Sequence, residues 1–301
     1  MAKPPGTLGP ALALVLNAFV WGVSWWPFRE LQHAGVHPLW ATTLIYTVSL
    51  SLLLLWKPGA VRSFATQPLL WVLLLAAGMT NVGFNWAVTV GDVVRVVLLF
   101  YLMPAWTVIL AWPILGEKPT PVSLLRLALA LAGVVIVLDT RGTWPVPEGI
   151  ADWLSLAGGL SFALTNILLR KLRDVPAPSR ILAMFGGGGA TAAVAALIGI
   201  ALGVVPPLPA PQAAWTGVGL ALSVGFLASN VALQYGASRL NAHAGALIML
   251  SEVVFASLSS VALGAAQLSL RTLVGGALIL TAAVWSAWPS APRESAAVGA
   301  Q

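Results

Sequence analysis

The chain has 301 residues, of which 59% are hydrophobic and 8% charged, with a mean hydropathy of +0.92 and a formal net charge of +6. An ordinary soluble domain is about 25% charged, so this composition cannot clothe a water-facing surface; it excludes a soluble enzyme, a disordered chain and a nucleic-acid binder. Cysteine is absent, which removes disulfides, thiolate metal sites and cysteine nucleophiles.

A membrane-crossing helix needs about 20 apolar residues. In chain order such stretches fall at 9–28, 38–56, 68–90, 93–115, 121–139, 149–170, 179–203, 212–236, 240–264 and 268–288. They predict an all-α membrane protein with ten transmembrane helices. The connections are short and rich in Pro, Gly and charge, as in Lys57-Pro58-Gly59 and Arg141-Gly142, and leave no room for a soluble domain. The first span does not read as a cleaved signal peptide. Its flank carries only Lys3, it lacks a clear small-residue cleavage site, and a Trp-rich end follows.

Polar residues inside spans face a bundle interior or a cavity, because a polar group in hydrocarbon is costly unless partnered. Span one carries Asn17, Trp21 and Ser24 on one helical face. His33 and His37 follow at i, i+4, but without a third ligand they read as a solvated pair rather than a metal site. Span three carries Asn81 and Asn85. Span four offers Tyr101 beside Pro104, and an interior proline removes one backbone hydrogen bond, making Pro104 a natural hinge. Glu117-Lys118-Pro119-Thr120-Pro121 reads as a helix stop and restart. Span six carries Gly158, Phe162 and Asn166 at turn spacing. In span seven, Gly186 to Gly189 reads as a close helix approach, since no strand precedes it and no Lys-Ser/Thr follows. Span eight carries Phe226, Asn230 and Gln234. Span nine holds Glu252, the only carboxylate deep inside a span. A charge there is expensive and marks a functional candidate. Asn241, Gly245, Ile248 and Ser259 share its face of a continuous helix, whereas His243 lies on the opposite side. For each of these polar residues the alternative to ligand contact is an ordinary interhelical hydrogen bond.

Basic residues choose an orientation. With the N-terminus inside, ten of them fall on inner segments (Lys3, Lys57, Arg62, Lys118, Arg170, Lys171, Arg173, Arg180, Arg239, Arg293) and four on outer ones (Arg29, Arg95, Arg141, Arg271). Arg126, near the inner end of span five, is left uncounted. The bias predicts that both termini are cytoplasmic. Trp26, Trp40, Trp56, Trp71, Trp144, Trp153, Trp215, Trp285 and Trp288 fall near span ends, as interfacial rings do. Trp21, Trp86 and Trp106 do not, and a cavity is one reason for them.

The two halves resemble each other weakly. Leu115-Gly116-Glu117 and Leu263-Gly264-Ala265 close spans four and nine at an offset that also pairs Pro104 with Glu252. Residues 1–142 and 143–301 then form two five-span repeats of one integral membrane domain. An odd number of spans starts the second repeat on the opposite side, so the repeats are inverted, as in many secondary transporters.

Two five-helix halves, the Trp21-Gly22 pair in span one and Gly116-Glu117 closing span four resemble the drug/metabolite transporter superfamily in its EamA branch. The likeness covers nearly the whole chain, which in overall character more closely resembles the YddG-type aromatic amino acid exporters. The resemblance implies a bacterial inner-membrane transporter of ten helices, with a cavity built from spans 1, 3, 4, 6, 8 and 9. The second half has Gly264-Ala265 where the first has Gly116-Glu117, so any role of that acid is not duplicated.

An intramembrane enzyme lacks support: no His-Glu-x-x-His helix or Asp-rich prenyl-diphosphate motif occurs, and Asp92 and Asp139 sit near span ends. A channel or scaffold leaves the inverted repeat unexplained. No Walker A motif supports direct ATP drive, and no cofactor is expected. One internal carboxylate, several amides and free aromatic rings suit a zwitterion with an apolar side chain. The expected function is therefore export of aromatic or other hydrophobic amino acids by alternating access, with room for proton coupling at Glu252. The expected partners are the small-molecule substrate and membrane lipid, with no nucleic acid. The expected substrate-contacting residues are Asn17, Trp21, Asn81, Asn85, Tyr101, Phe162, Asn166, Asn230 and Glu252. An exporter of lipophilic cationic drugs is the alternative, because a carboxylate among aromatics is also a cation site. A sugar phosphate would want an internal Arg or Lys, and none lies near a span centre.

Overall fold

A computed structural model describes residues 8–116, 118–138, 146–237, 239–240, 248–266 and 269–287. The Asn241, His243 and Gly245 positions of span nine, and Glu117, Asp139, Trp144 and Trp288, lie outside the described residues. Every regular element among the described residues is helical. Helices α1 (Leu8–Val23) and α2 (Trp25–His33) form the first stretch, followed by α3 (Pro38–Trp56), a 3₁₀ segment (Pro58–Ala65) and α4 (Leu69–Val90). Next come α5 (Val93–Phe100), α6 (Met103–Leu115) and α7 (Pro121–Leu138). The second half holds α8 (Ile150–Lys171), α9 (Ala177–Ala201), α10 (Ala213–Ala237), α11 (Ser251–Ala262) and α12 (Leu270–Ala287). Among the described residues, seven helical stretches are long and apolar enough to cross a membrane, counting α1–α2 and α5–α6 as one each, and α7, α11 and α12 contain shorter apolar runs.

Among the described residues three stretches are interrupted, the first two for a visible local reason. At Ser24 the hydroxyl donates to Trp21 O (2.8 Å) and the backbone N–H turns to the same carbonyl, a side-chain bond that competes with the helix ladder. Between α5 and α6 the chain tightens at Tyr101 and Leu102, where Leu102 N–H donates to Leu99 O. Pro104, in the first turn of α6, has no N–H to offer Phe100 O. That carbonyl packs against α8, where a Cβ on Gly159 would stand 2.7 Å from it. The third interruption is at Leu250, which flanks the start of α11, so the ninth stretch is not the continuous helix that the face-sharing of Asn241, Gly245 and Glu252 presumes. Gly116 and Gly264 close α6 and α11 in left-handed conformations (φ 75° and 69°) that favour glycine.

The helices pack in recurring pairs: α4 on α8 and α9, α1 on α10 and α11, α3 on α9 and α10, and α7 on α12. The glycine run of α9 is a close approach, as its sequence suggests. A Cβ on Gly187 would collide with Leu74 O, and one on Gly188 with the Tyr46 ring. The largest apolar cluster gathers α5, with Val93, Val94, Val97 and Leu99, against Ala130, Val253 and Ile279. It fills the end of the bundle at which α5 and α8 begin.

Candidate functional site

A cavity of about 570 Å³ lies between the two halves. Asn17 and Trp21 reach it from α1, and Thr80, Asn81 and Phe84 from α4. Phe100, Tyr101, Met103 and Thr107 line it where α5 gives way to α6. From the second half, α8 supplies Phe162 and Asn166, α10 supplies Asn230 and Leu233, and the start of α11 supplies Leu250 and Glu252. The lining also takes in Ser123 and Arg126 of α7 and Met184 of α9, and so reaches beyond spans 1, 3, 4, 6, 8 and 9.

The interruptions put the chemistry in place. Glu252 sits in the first turn of α11, where unpaired backbone N–H groups and the helix dipole favour a negative charge. Its carboxylate accepts a hydrogen bond from the Tyr101 hydroxyl at 3.2 Å, and the same hydroxyl lies 3.3 Å from Met249 O. Gly22 lets α1 approach this turn, since a Cβ there would stand 2.8 Å from Glu252 O. The Trp-Gly pair thus sets the Trp21 ring beside the cavity and the bare backbone beside the acid. Aromatic rings form one wall. Trp21 stacks on Phe226 (4.6 Å, 15°) and meets Phe84 edge-on at 6.1 Å. Phe84 meets Phe100 edge-on (4.7 Å), and Phe100 lies 5.4 Å from Phe162.

The amides differ in what they have left to offer. Asn81 is committed: its Oδ1 accepts from the Tyr46 hydroxyl (2.6 Å) and its Nδ2 donates to Ala77 O. Asn17 donates through Nδ2 to Ser229 O and Ser229 Oγ, which fixes its orientation and leaves Oδ1 buried without a partner. Asn230 Oδ1 is likewise buried and unpartnered. Asn85 does not reach the cavity; it is fully buried and donates to Thr42 Oγ1 at 3.2 Å, an interhelical bond between α4 and α3. Trp86 and Trp106 do not line the cavity either. Trp86 packs edge-on with His37, and Trp106 packs against the α5 cluster with its Nε1 buried and unpartnered. Burial lowers the His37 pKa from its ordinary value, and its Nδ1 faces the Leu39 N–H at the start of α3.

Sequence reasoning missed Arg126. It sits about a turn and a half into α7, close enough to the span end to read as an interfacial residue. Among the described residues, Arg126 and Glu252 are the only charged side chains in the lining. The end beyond α5 is closed by a forked ion pair. Arg95 donates through Nε and Nη2 to the two carboxylate oxygens of Asp152 (2.9 and 2.8 Å) and through Nη1 to Val137 O. Nearby, Arg29 donates to Gly91 O, and Trp25 Nε1 donates to Ser259 Oγ.

This arrangement of broken helices around a lined cavity can be set beside known proteins. Residues 8–139 match the EamA-like transporter family. An uncharacterized transporter of Pseudomonas aeruginosa is 28% identical over 166 residues, covering 52% of this chain and 53% of that protein. The chain therefore spans about half the length of the curated relative it matches. A crystal structure of a protein is similar in fold, with a TM-score of 0.55 and 19% identity over 91% of this chain and 94% of that one.

Proposed function

We propose that the whole chain is a secondary transporter of the bacterial inner membrane that exports small zwitterions, foremost aromatic or other hydrophobic amino acids, by alternating access. The observation that carries this reading is the cavity itself: one carboxylate, Glu252, held by Tyr101 at the start of a half-helix, faces a wall made by Trp21, Phe84, Phe100 and Phe162. Asn17, Asn166 and Asn230 supply the polar remainder, and Asn81 borders it with its amide already engaged by Tyr46 and Ala77. A ring-bearing amino acid would stack on the aromatic wall and place its ammonium toward Glu252.

The reading includes ten spans in two inverted repeats, residues 1–142 and 143–301, with both termini cytoplasmic. Several pairings support the repeat. The packing of α4 on α8 and α9 has its counterpart in that of α10 on α1 and α3. Leu102 and Leu250 flank corresponding interruptions, Gly116 and Gly264 are corresponding left-handed caps, and Tyr101 touches Met249, its own counterpart. On this topology the lining reaches toward the cytoplasm and the Arg95–Asp152 pair closes the periplasmic side.

The deciding experiment is uptake of a panel of radiolabelled amino acids into proteoliposomes, with and without a pH gradient. Saturable transport of aromatic amino acids is expected. Transport of lipophilic cations, with none of any amino acid, would favour the cationic-drug reading instead.

A further inference from the structure

We propose that Arg126 is the anion anchor of the cavity and receives the carboxylate of the cargo, so that the two ends of a zwitterion are read by Glu252 and Arg126. The proposal deepens the amino-acid reading above and rests on it for the identity of the cargo. Three observations carry it.

First, Arg126 lines the same cavity as Glu252, and among the described residues no other charged side chain does. Second, its Nε is buried without a hydrogen-bond partner. A guanidinium stays charged and offers five donors in a planar fork shaped for a carboxylate, so a buried guanidinium nitrogen with no acceptor is an incomplete site. Arg95 shows the completed form, with Asp152 on its fork and Val137 O on the remaining nitrogen. Arg29 and Arg180 also carry an unpartnered Nε, but neither lines the cavity. Third, the Arg126 guanidinium lies 5.3 Å over the Trp285 ring. A stacked ring fixes the plane of the fork without consuming its donors. The neighbouring Ser123 cannot fill this role, because its hydroxyl already accepts from Thr120 N–H (2.7 Å) and donates to Thr120 O (2.8 Å) at the helix start.

The test uses the purified full chain in lipid nanodiscs and three probes that share a phenyl ring: L-phenylalanine, 3-phenylpropionate and phenethylamine. Binding is measured for the wild type, Arg126→Gln and Arg126→Lys. The expected result is that Arg126→Gln weakens the two carboxylates about tenfold or more while phenethylamine binds as before, with Arg126→Lys between the two. Retained phenethylamine binding also shows that the variant is folded; if Arg126→Gln does not fold, the carboxylate-to-amine ratio in Arg126→Lys carries the test. Equal losses for all three probes, or unchanged carboxylate binding, overturn the anchor and leave the amino-acid reading standing. If the wild type binds 3-phenylpropionate through Arg126 but not phenylalanine, the anchor holds and the amino-acid reading falls. A wild type that binds phenethylamine alone, or none of the three, overturns both.

Discussion

Glu252 is the residue on which the transport reading turns. A carboxyl group in the middle of a membrane bundle is kept only if its charge is compensated or intermittent. Tyr101 supplies one hydrogen bond and the α11 terminus supplies a favourable field, but one phenolic donor does not saturate a carboxylate that can accept several bonds. The remaining capacity suits a substrate ammonium or a proton that comes and goes with the cavity's exposure. Glu252→Gln keeps the shape and the bond to Tyr101 while removing both the charge and the titration. It is expected to reduce transport several-fold and to flatten its dependence on pH between about 5.5 and 8, leaving the protein folded. Proteoliposome uptake across that range checks this, and an unchanged profile would make Glu252 a structural acid. The amides show why residue type alone does not identify a contact. Asn81 and Asn85 read identically in the sequence, one turn apart on the same stripe, yet Asn81 borders the cavity and Asn85 turns its Nδ2 to Thr42, away from the lining.

At the scale of the element, the interruption of α5 and α6 couples a missing donor to a missing Cβ. Pro104 leaves Phe100 O without a helical partner, and Gly159 lets α8 come up against that oxygen. Gly159→Ala would set a methyl 2.7 Å from a backbone atom, which cannot swing aside as a side chain could. Overpacking of this kind costs about 1–3 kcal/mol, and a lowered Tm of the purified protein is expected, whereas Gly217→Ala in α10, where a Cβ meets nothing within 4 Å, does not lower it and raises it slightly through helix propensity. Pro104→Ala restores the N–H and straightens the local ladder, so it is expected to change the turnover rate more than substrate affinity; equal effects on both would count against a hinge. The element scale is also where the sequence was most and least legible. Hydropathy alone located the helical stretches, because a span length of apolar residues has no other use. The inward stripes of Asn17 with Trp21 and of Phe162 with Asn166 followed from helical spacing. Rotation of a helix about its axis is set by what it packs on, and a residue near a span end has two wet places to go. Arg126 was therefore unreadable until α7 was seen against α12, and the break at Leu250 was invisible in an unbroken apolar run.

On the scale of the whole molecule, the alternating access proposed above needs two closures of similar strength, only one of which holds at a time. Here the cavity lining extends to the start of α7, while the opposite end is shut by the valine-rich face of α5 and by the Arg95–Asp152 fork joining α5 to α8. The apolar part of that closure is short-ranged, losing about a quarter to a half of its attraction over a gap of about 0.5–1 Å, but it has no preferred direction. The fork adds direction, because its two parallel bonds require fixed geometry and lapse together. It thus sharpens the closure, and its strength contributes to how often that end opens. The Asp152 side chain is 7% exposed and that of Arg95 19%, so the pair is neither dry nor fully screened. Asp152→Asn removes the charge but not the bulk, and a loss of even about 1.4 kcal/mol moves the balance between closed and open states about tenfold. Because the chain has no cysteine, a single one can report this opening. Val94→Cys, buried in the closure at 4% exposure, is expected to react slowly with a membrane-impermeant maleimide, and about tenfold faster when combined with Asp152→Asn. Substrate export should then lose its tight coupling to conformational change, with faster exchange and weaker accumulation. If the labelling rate is the same in both backgrounds, the closure is apolar alone and Arg95–Asp152 serves only to hold α8 in place.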